Sequence, residues 1–376
     1  MAVYDVAVVG LGAMGSAALY HLAARGQRVI GLERATPGHD GGSSHGESRI
    51  IRMAYFEHPS YVPLLRRAYE NWRALERDTG AELLTLTGII EAGIPGSAVV
   101  RGALEAARLH DLPHEMLSAR RVAGRFPAFA LPSHWEALFE ADGGFLRPER
   151  AIETHIATAK GFGADIRIHT AVTSIEPTSG GVRLKIDGGG VIEAGSVVVS
   201  AGAWIGELFP EFGRHLRLTR QVLGWFEPVQ PALVTPDRFP VFLLESEENI
   251  VYGFPDLAGT GVKVGSHLPG RWLARAGDAC QDGDMADAAS IHDMLARYIP
   301  AAAGPVRNLK TCIYTHTPDE DFVIDRHELH PQIVLASPCS GHGFKFASVI
   351  GEILADLATV GATPHDISRF QLNRFG

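Results

Sequence analysis

Several groups of residues in this chain have types and spacings that could do chemistry. Gly10, Gly12 and Gly15 form a G-x-G-x-x-G turn. The first glycine permits a tight turn, the second lets backbone approach a pyrophosphate, and the third lets helix and strand pack closely. Unpaired N–H groups at the start of the following helix, at the positive end of its dipole, then hold phosphates. Glu33, with Arg34 beside it, lies eighteen residues beyond Gly15, where a ribose-binding carboxylate belongs. A glycine- and serine-rich loop over 35–46 contains Ser43, Ser44 and His45, and runs into Ser48, Arg49 and Arg52. At i, i+3 the two arginines would share one helix face, yet Ile50 and Ile51 lie between them. Cations in such company either snorkel to solvent or meet an anion. A guanidinium fork suits a carboxylate, so the loop reads as a cofactor and substrate lip rather than a plain surface connection. Lys345 follows Gly341 and Gly343 in a turn that opens a helix, where a cation opposes the macrodipole by ~0.3–1 kcal/mol. A residue set against its local preference points to an anion opposite it. Tyr252, Phe254, Lys263 and His267 are the polar or aromatic positions of a strand-like region; taken singly, each reads first as a core aromatic or a solvated side chain.

These groups need particular elements to position them. Val6 to Val9 reads as a buried parallel strand, Ala17, Leu19, Leu22 and Ala23 as a helix face, and 28–32 as a second strand. That is the strand–turn–helix–strand–acid order of a dinucleotide-binding unit, although the motif alone does not choose between NAD and FAD. Spacing predicts helices over 61–79, 97–110, 118–125, 148–161 and 286–298, with strands near 83–86, 88–92 and 135–139. Residues 166–169, 172–176, 181–187 and 191–194 read as short strands joined by glycine turns, and 197–200 as a separate buried strand. Such a β-ribbon inserted in a nucleotide-binding fold is typical of FAD proteins. From 218 to 265 the alternation predicts a mixed or antiparallel sheet that would wall a pocket, and 319–336 returns to the first unit. The expectation is a mixed α/β fold, discontinuous in sequence. A Rossmann-type FAD-binding domain would take 1–80, 145–215 and 320–376, and a sheet-rich substrate domain 81–144 and 216–319.

Composition narrows the function classes. The length of 376 residues suggests about two domains with ample core. A net charge of −9 argues against nucleic acid or an anionic membrane surface as partner. Cys280, Cys312 and Cys339 contain no C-x-x-C pair, which excludes a disulfide framework and a cysteine zinc site. The first strand begins by Tyr4, leaving no room for a signal peptide, and no apolar stretch approaches the ~18 residues of a membrane span. The expectation is a soluble, cytoplasmic protein.

The chain resembles the monomeric sarcosine oxidase and N-methyltryptophan oxidase family over nearly its whole length. The likeness rests on the Gly10–Gly15 turn, the segment Gly42-Ser43-Ser44-His45-Gly46-Glu47-Ser48-Arg49-Ile50-Ile51-Arg52, Tyr252-Gly253-Phe254-Pro255, Lys263 with His267, the segment around Cys312 and Tyr314, Pro318-Asp319-Glu320-Asp321-Phe322, and Ser340-Gly341-His342-Gly343-Phe344-Lys345-Phe346. The resemblance implies a monomeric FAD enzyme that oxidises an N-methyl amino acid and uses O2, giving hydrogen peroxide, formaldehyde and the primary amino acid. It implies a thioether from Cys312 to the flavin, a substrate carboxylate held by Arg52 and Lys345, and oxygen activation at Lys263. It also places Tyr252, His267 and Tyr314 around the substrate, and His45 and Arg49 beside the flavin. The chain departs from the family at Met53, where histidine is common, and at Cys339, where phenylalanine or leucine is commoner. Two other functions fit the same residues: a flavin dehydrogenase passing electrons to a protein partner, and a nucleotide-binding module without catalysis.

Overall fold

Val6 to Val9 are buried and apolar on both faces, which suits a strand covered by helices on either side of a parallel sheet. In a computed structural model describing residues 4–279 and 283–375, Tyr4–Val9 (β1) breaks at Gly10 into helix Ala13–Ala24 (α1), and Val29–Leu32 (β2) follows. β1 pairs in parallel with β2 on one side and with Val191–Val199 on the other. Asp165–Arg167 adds to β2, and Ile333–Ser337 joins Val191–Val199, both in parallel; Val323–Arg326 and the hairpin of Val172–Thr178 with Gly181–Ile186 complete an eight-stranded sheet. Helix Ala347–Thr359 crosses α1 so closely that a Cβ on Gly351 would lie 2.5 Å from Ala17.

A second, nine-stranded sheet holds Ile89–Gly93, Glu136–Glu140, Arg217–Phe226, Val241–Glu245, Ile250–Phe254, Val262–Ser266 and Val306–His316 among its members. Its pairing is antiparallel except where Val241–Glu245 meets Ile89–Gly93. Arg49–Ile51 (β3), Gly144–Leu146 and Leu84–Leu86 make a small third sheet.

Several expected elements differ. Residues 49–52 are not helical: Arg49 lies in β3 and Arg52 just beyond it, so the two arginines do not share a helix face. Hydrogen bonding to Gly144–Leu146, distant in sequence, outweighs the local i, i+3 pattern. Residues 165–167 belong to the parallel sheet rather than to the ribbon, and 191–199 is one strand whose two halves serve ribbon and sheet in turn. Lys345 sits in a 3-10 turn, Phe344–Phe346, that precedes the helix. Cys280 lies outside the described residues. Among those described, no helix is long and apolar enough to cross a membrane.

Candidate active site

A cavity of about 580 Å³ runs from the Gly10 turn to the face of the second sheet. At the near end, Gly10, Gly12, Glu33, Arg34, Ser43 and Ser44 line it. Gly15 stands behind, where a Cβ would come within 1.8 Å of the Gly10 carbonyl; only glycine lets the helix start so close to the strand. Glu33 is buried, and its carboxylate accepts from the Leu11 N–H at 2.8 Å and the Ala35 N–H at 2.9 Å. The acid is thus fixed at the rim by the turn it serves.

At the far end, the long strand Val306–His316 carries Cys312 and Tyr314, and Ile250–Phe254 carries Tyr252. All three line the cavity with His267, Gly341, Gly343 and Lys345. The Tyr252 and Tyr314 hydroxyls lie 3.4 Å apart. Burial pushes Tyr252 up to about 12 and His267 down to about 4, so both are neutral near pH 7. Burial also raises the thiol of Cys312, against the pull of Arg49 and Lys263, and takes Cys339 up to about 11.

The cations at this end are buried. Lys345 Nζ donates to the His342 carbonyl at 2.7 Å, and its own carbonyl accepts from Trp72 Nε1 at 2.9 Å. Burial, then repulsion from Arg52, lowers its ammonium to about 7. Arg52 donates from Nη2 to Glu57 at 2.7 Å. Its Nε lies 2.8 Å from Glu91 without hydrogen-bond alignment. Desolvation opposes Glu57's charge, but Arg52 and the surrounding cations bring its carboxyl down to about 2. Glu91, fully buried, is raised to about 8 by that burial, which Arg52's pull does not offset. Tyr55 stands between the two cations: Arg52 Cζ is 4.7 Å and Lys345 Nζ 5.1 Å from its ring centre, both within cation–π range. Its hydroxyl bonds His342 Nδ1 at 2.5 Å.

Lys263, His45 and Ser48 are buried behind the cavity wall. Lys263 Nζ donates to the carbonyls of Gly46 and Ser48 and to Ser48 Oγ at 3.2 Å. Burial, then repulsion from Arg49, lowers its ammonium well below the usual lysine range. Arg49 lines the cavity and donates to the carbonyls of Ser43 at 2.8 Å and Ser48 at 2.9 Å. His45 has both ring nitrogens buried without a hydrogen-bond partner among the described residues, and burial lowers it to about 4. A buried imidazole left unpaired marks a place built for a polar group. The glycine turn and the length of the cavity fit a dinucleotide cofactor.

Glu57, Glu91 and Tyr55 escaped the reading of the sequence, and His342 entered it only within the segment 340–346, with no role of its own. Only Glu57 carried a local signal, an acid five residues past Arg52.

The FAD dependent oxidoreductase (DAO) family matches residues 5–357. Monomeric sarcosine oxidase of Streptomyces avermitilis is 42% identical, over 99% of this chain and 97% of its own length. N-methyl-L-tryptophan oxidase of Yersinia pestis is 36% identical over 99% of both chains. Among solved structures, NikD, an unusual amino acid oxidase essential for nikkomycin biosynthesis, superimposes with a TM-score of 0.87 at 24% identity, covering 98% of this chain and 97% of its own. Glycine oxidase from Geobacillus kaustophilus gives 0.82 at 21%, covering 99% and 98%. With the family model matching nearly its whole length and relatives this similar, the chain belongs to the FAD-dependent oxidoreductase family.

Proposed function

We propose that this protein is an FAD-dependent oxidase of N-methyl amino acids, consuming O2 and water and yielding hydrogen peroxide, formaldehyde and the primary amino acid. One observation carries the reading: a single cavity joins the nucleotide turn to the buried cations Arg52 and Lys345. FAD supplies the two-electron oxidation of the C–N bond and the return of those electrons to oxygen. The segments 1–80, 145–215 and 320–376 are its domain, and 81–144 with 216–319 the substrate domain.

Gly10 and Gly12 admit the pyrophosphate with Gly15 packing the helix behind them, Glu33 and Arg34 face the ribose, and Ser43, Ser44, His45, Ser48 and Arg49 form the lip. Gly341 and Gly343 bring the backbone of the second glycine turn close. Cys312 is the covalent attachment. Arg52 and Lys345 hold the substrate carboxylate, a planar fork and a point charge on one anion. Neutral His267, with Tyr252 and Tyr314, surrounds the amine end and excludes water. Lys263 supports reaction with oxygen. The names of the relatives, oxidases in both branches, support this over electron transfer to a protein partner.

A peroxide-coupled screen across sarcosine, N-methyltryptophan, cyclic imino acids and glycated amines tests the function. The expected result is turnover of N-methyl amino acids with stoichiometric formaldehyde and peroxide. Turnover only with an artificial electron acceptor would refute it.

A further inference from the structure

The loop from Ser43 to Arg49 is gripped from two sides. On one, Lys263 Nζ donates to the carbonyls of Gly46 at 2.6 Å and Ser48 at 2.7 Å. On the other, one oxygen of the Glu149 carboxylate accepts from the Gly46 N–H at 2.5 Å and the Glu47 N–H at 3.1 Å. The second oxygen lies 3.2 Å from the Glu47 nitrogen. Backbone here is left-handed at two successive residues, with φ of 96° at Gly46 and 69° at Glu47. For Glu47, which has a Cβ, that conformation costs about 1–2 kcal/mol. It persists only where its surroundings over-determine it. Successive N–H groups in such a turn form a concave nest for an anion. In this chain a side-chain carboxylate fills the nest.

Glu149 reaches the nest from the first turn of helix Pro148–Gly161, where its charge also suits the dipole. That helix packs on α1, the helix of the phosphate turn. Glu149 therefore ties the loop to the nucleotide unit while Lys263 ties it to the second sheet. Arg49 closes the loop on itself through the Ser43 and Ser48 carbonyls.

We infer that Glu149 is a positioning residue for the cofactor lip: by accepting the Gly46 and Glu47 N–H groups, it sets where Ser43, Ser44 and Arg49 meet the cavity. It acts through backbone and does not line the cavity itself.

The test compares Glu149→Gln, Glu149→Asp and Glu149→Ala as holoenzymes. Glutamine keeps the length and a carbonyl acceptor without the charge; aspartate keeps the charge and falls one methylene short. If acceptance holds the loop, Glu149→Gln keeps the wild-type visible flavin spectrum and kcat. Glu149→Asp and Glu149→Ala then shift the spectrum and lower kcat by roughly 10²-fold, the scale of a ~1 Å misplacement. The opposite order, aspartate resembling wild type and glutamine impaired, would mean that the charge matters and would overturn the inference. A wild-type spectrum in Glu149→Ala would overturn it too. Should the alanine variant fail to fold, the aspartate–glutamine order still decides. The kinetic arm rests on the oxidase proposal, whereas the spectral arm needs only bound FAD. A wild type inactive on every secondary amino acid, with the spectral order as expected, would sink the proposed function and support the role of Glu149.

Discussion

Lys345 is held near the middle of its titration by opposing influences. Burial and Arg52 lower its ammonium to about 7, while Glu57 and Glu91 pull the other way. A bound carboxylate favours the charged form, so the empty site binds such a ligand best below about pH 7 and progressively less well above it. The dissociation constant of a small carboxylic acid lacking the amine, followed by flavin absorbance from pH 6 to 9, should rise with pH. A flat profile would remove Lys345 from the clamp. His267, already neutral above about 4, adds no inflection in that range. Glu91, raised to about 8, ionises within it and acts in the same direction, so the part due to Lys345 is the part that Lys345→Met removes. Lys345→Met should cost amino acid substrates roughly 10² in kcat/KM and spare an amine without a carboxylate. Arg52→Ala is the less clean variant, because it strands the ionised Glu57; breaking a buried pair costs ~3–5 kcal/mol in stability as well. Cys312 and Cys339 both line the cavity, and acid denaturation separates their roles. Yellow colour should stay with the polypeptide in wild type and Cys339→Ala, and wash off Cys312→Ala. Arg52 stood out because its charge conflicts with its apolar neighbours and Lys345 because a cation opens a helix, whereas Cys312 was marked by the family resemblance alone. Glu57, Glu91 and Tyr55 were not legible, since each gains its meaning from a partner that only the folded chain supplies.

Among elements, the helices crossing at Gly351 leave no room for a side chain. Helix propensity alone would favour Gly351→Ala by roughly 0.5–1 kcal/mol. The 2.5 Å approach to Ala17 reverses the sign, and overpacking of this kind typically costs about 1–3 kcal/mol. Urea unfolding should place the variant's midpoint below wild type; a higher midpoint would show that the helices separate freely. Lys263→Met leaves the Gly46 and Ser48 carbonyls without their buried donor. It should lower thermal stability and slow flavin reoxidation by O2 far more than anaerobic reduction by substrate. Equal loss in both half-reactions would reduce Lys263 to a loop anchor. The first strand–turn–helix–strand unit was legible because its contacts are local and its glycines have one geometric use. The pairing of Arg49–Ile51 was not, because its partner Gly144–Leu146 lies far along the chain and contributes only three residues.

At the scale of the molecule, the cavity is a seam. One wall belongs to the parallel sheet around β1, the other to the antiparallel sheet that carries Tyr252 and Cys312. A ligand spanning the seam binds the folded arrangement only, so its binding energy adds to stability. Flavin-free Cys312→Ala should therefore unfold at a lower temperature than the same variant resupplied with FAD, with hydrogen-exchange protection rising in both sheets. Protection confined to the β1 sheet would place the cofactor on that sheet alone. Apolar runs announced the sheet around β1 in the sequence, and alternation over 218–265 announced the second. The seam depends on how strands from opposite ends of the chain are brought together, and no single stretch records that.

The pairing of Arg52 with Glu57 has a consequence for selectivity. The resting cavity already contains an anion, tethered and always present, so a carboxylate taken up by Arg52 as proposed would compete with an internal rival. Its affinity is the difference between two ion pairs, and the rival's effective concentration is set by a five-residue tether. Simple anions that offer one charge and no further contacts lose that contest. On the proposed function, an amino acid that also fills the space under Tyr252, Tyr314 and His267 would win it.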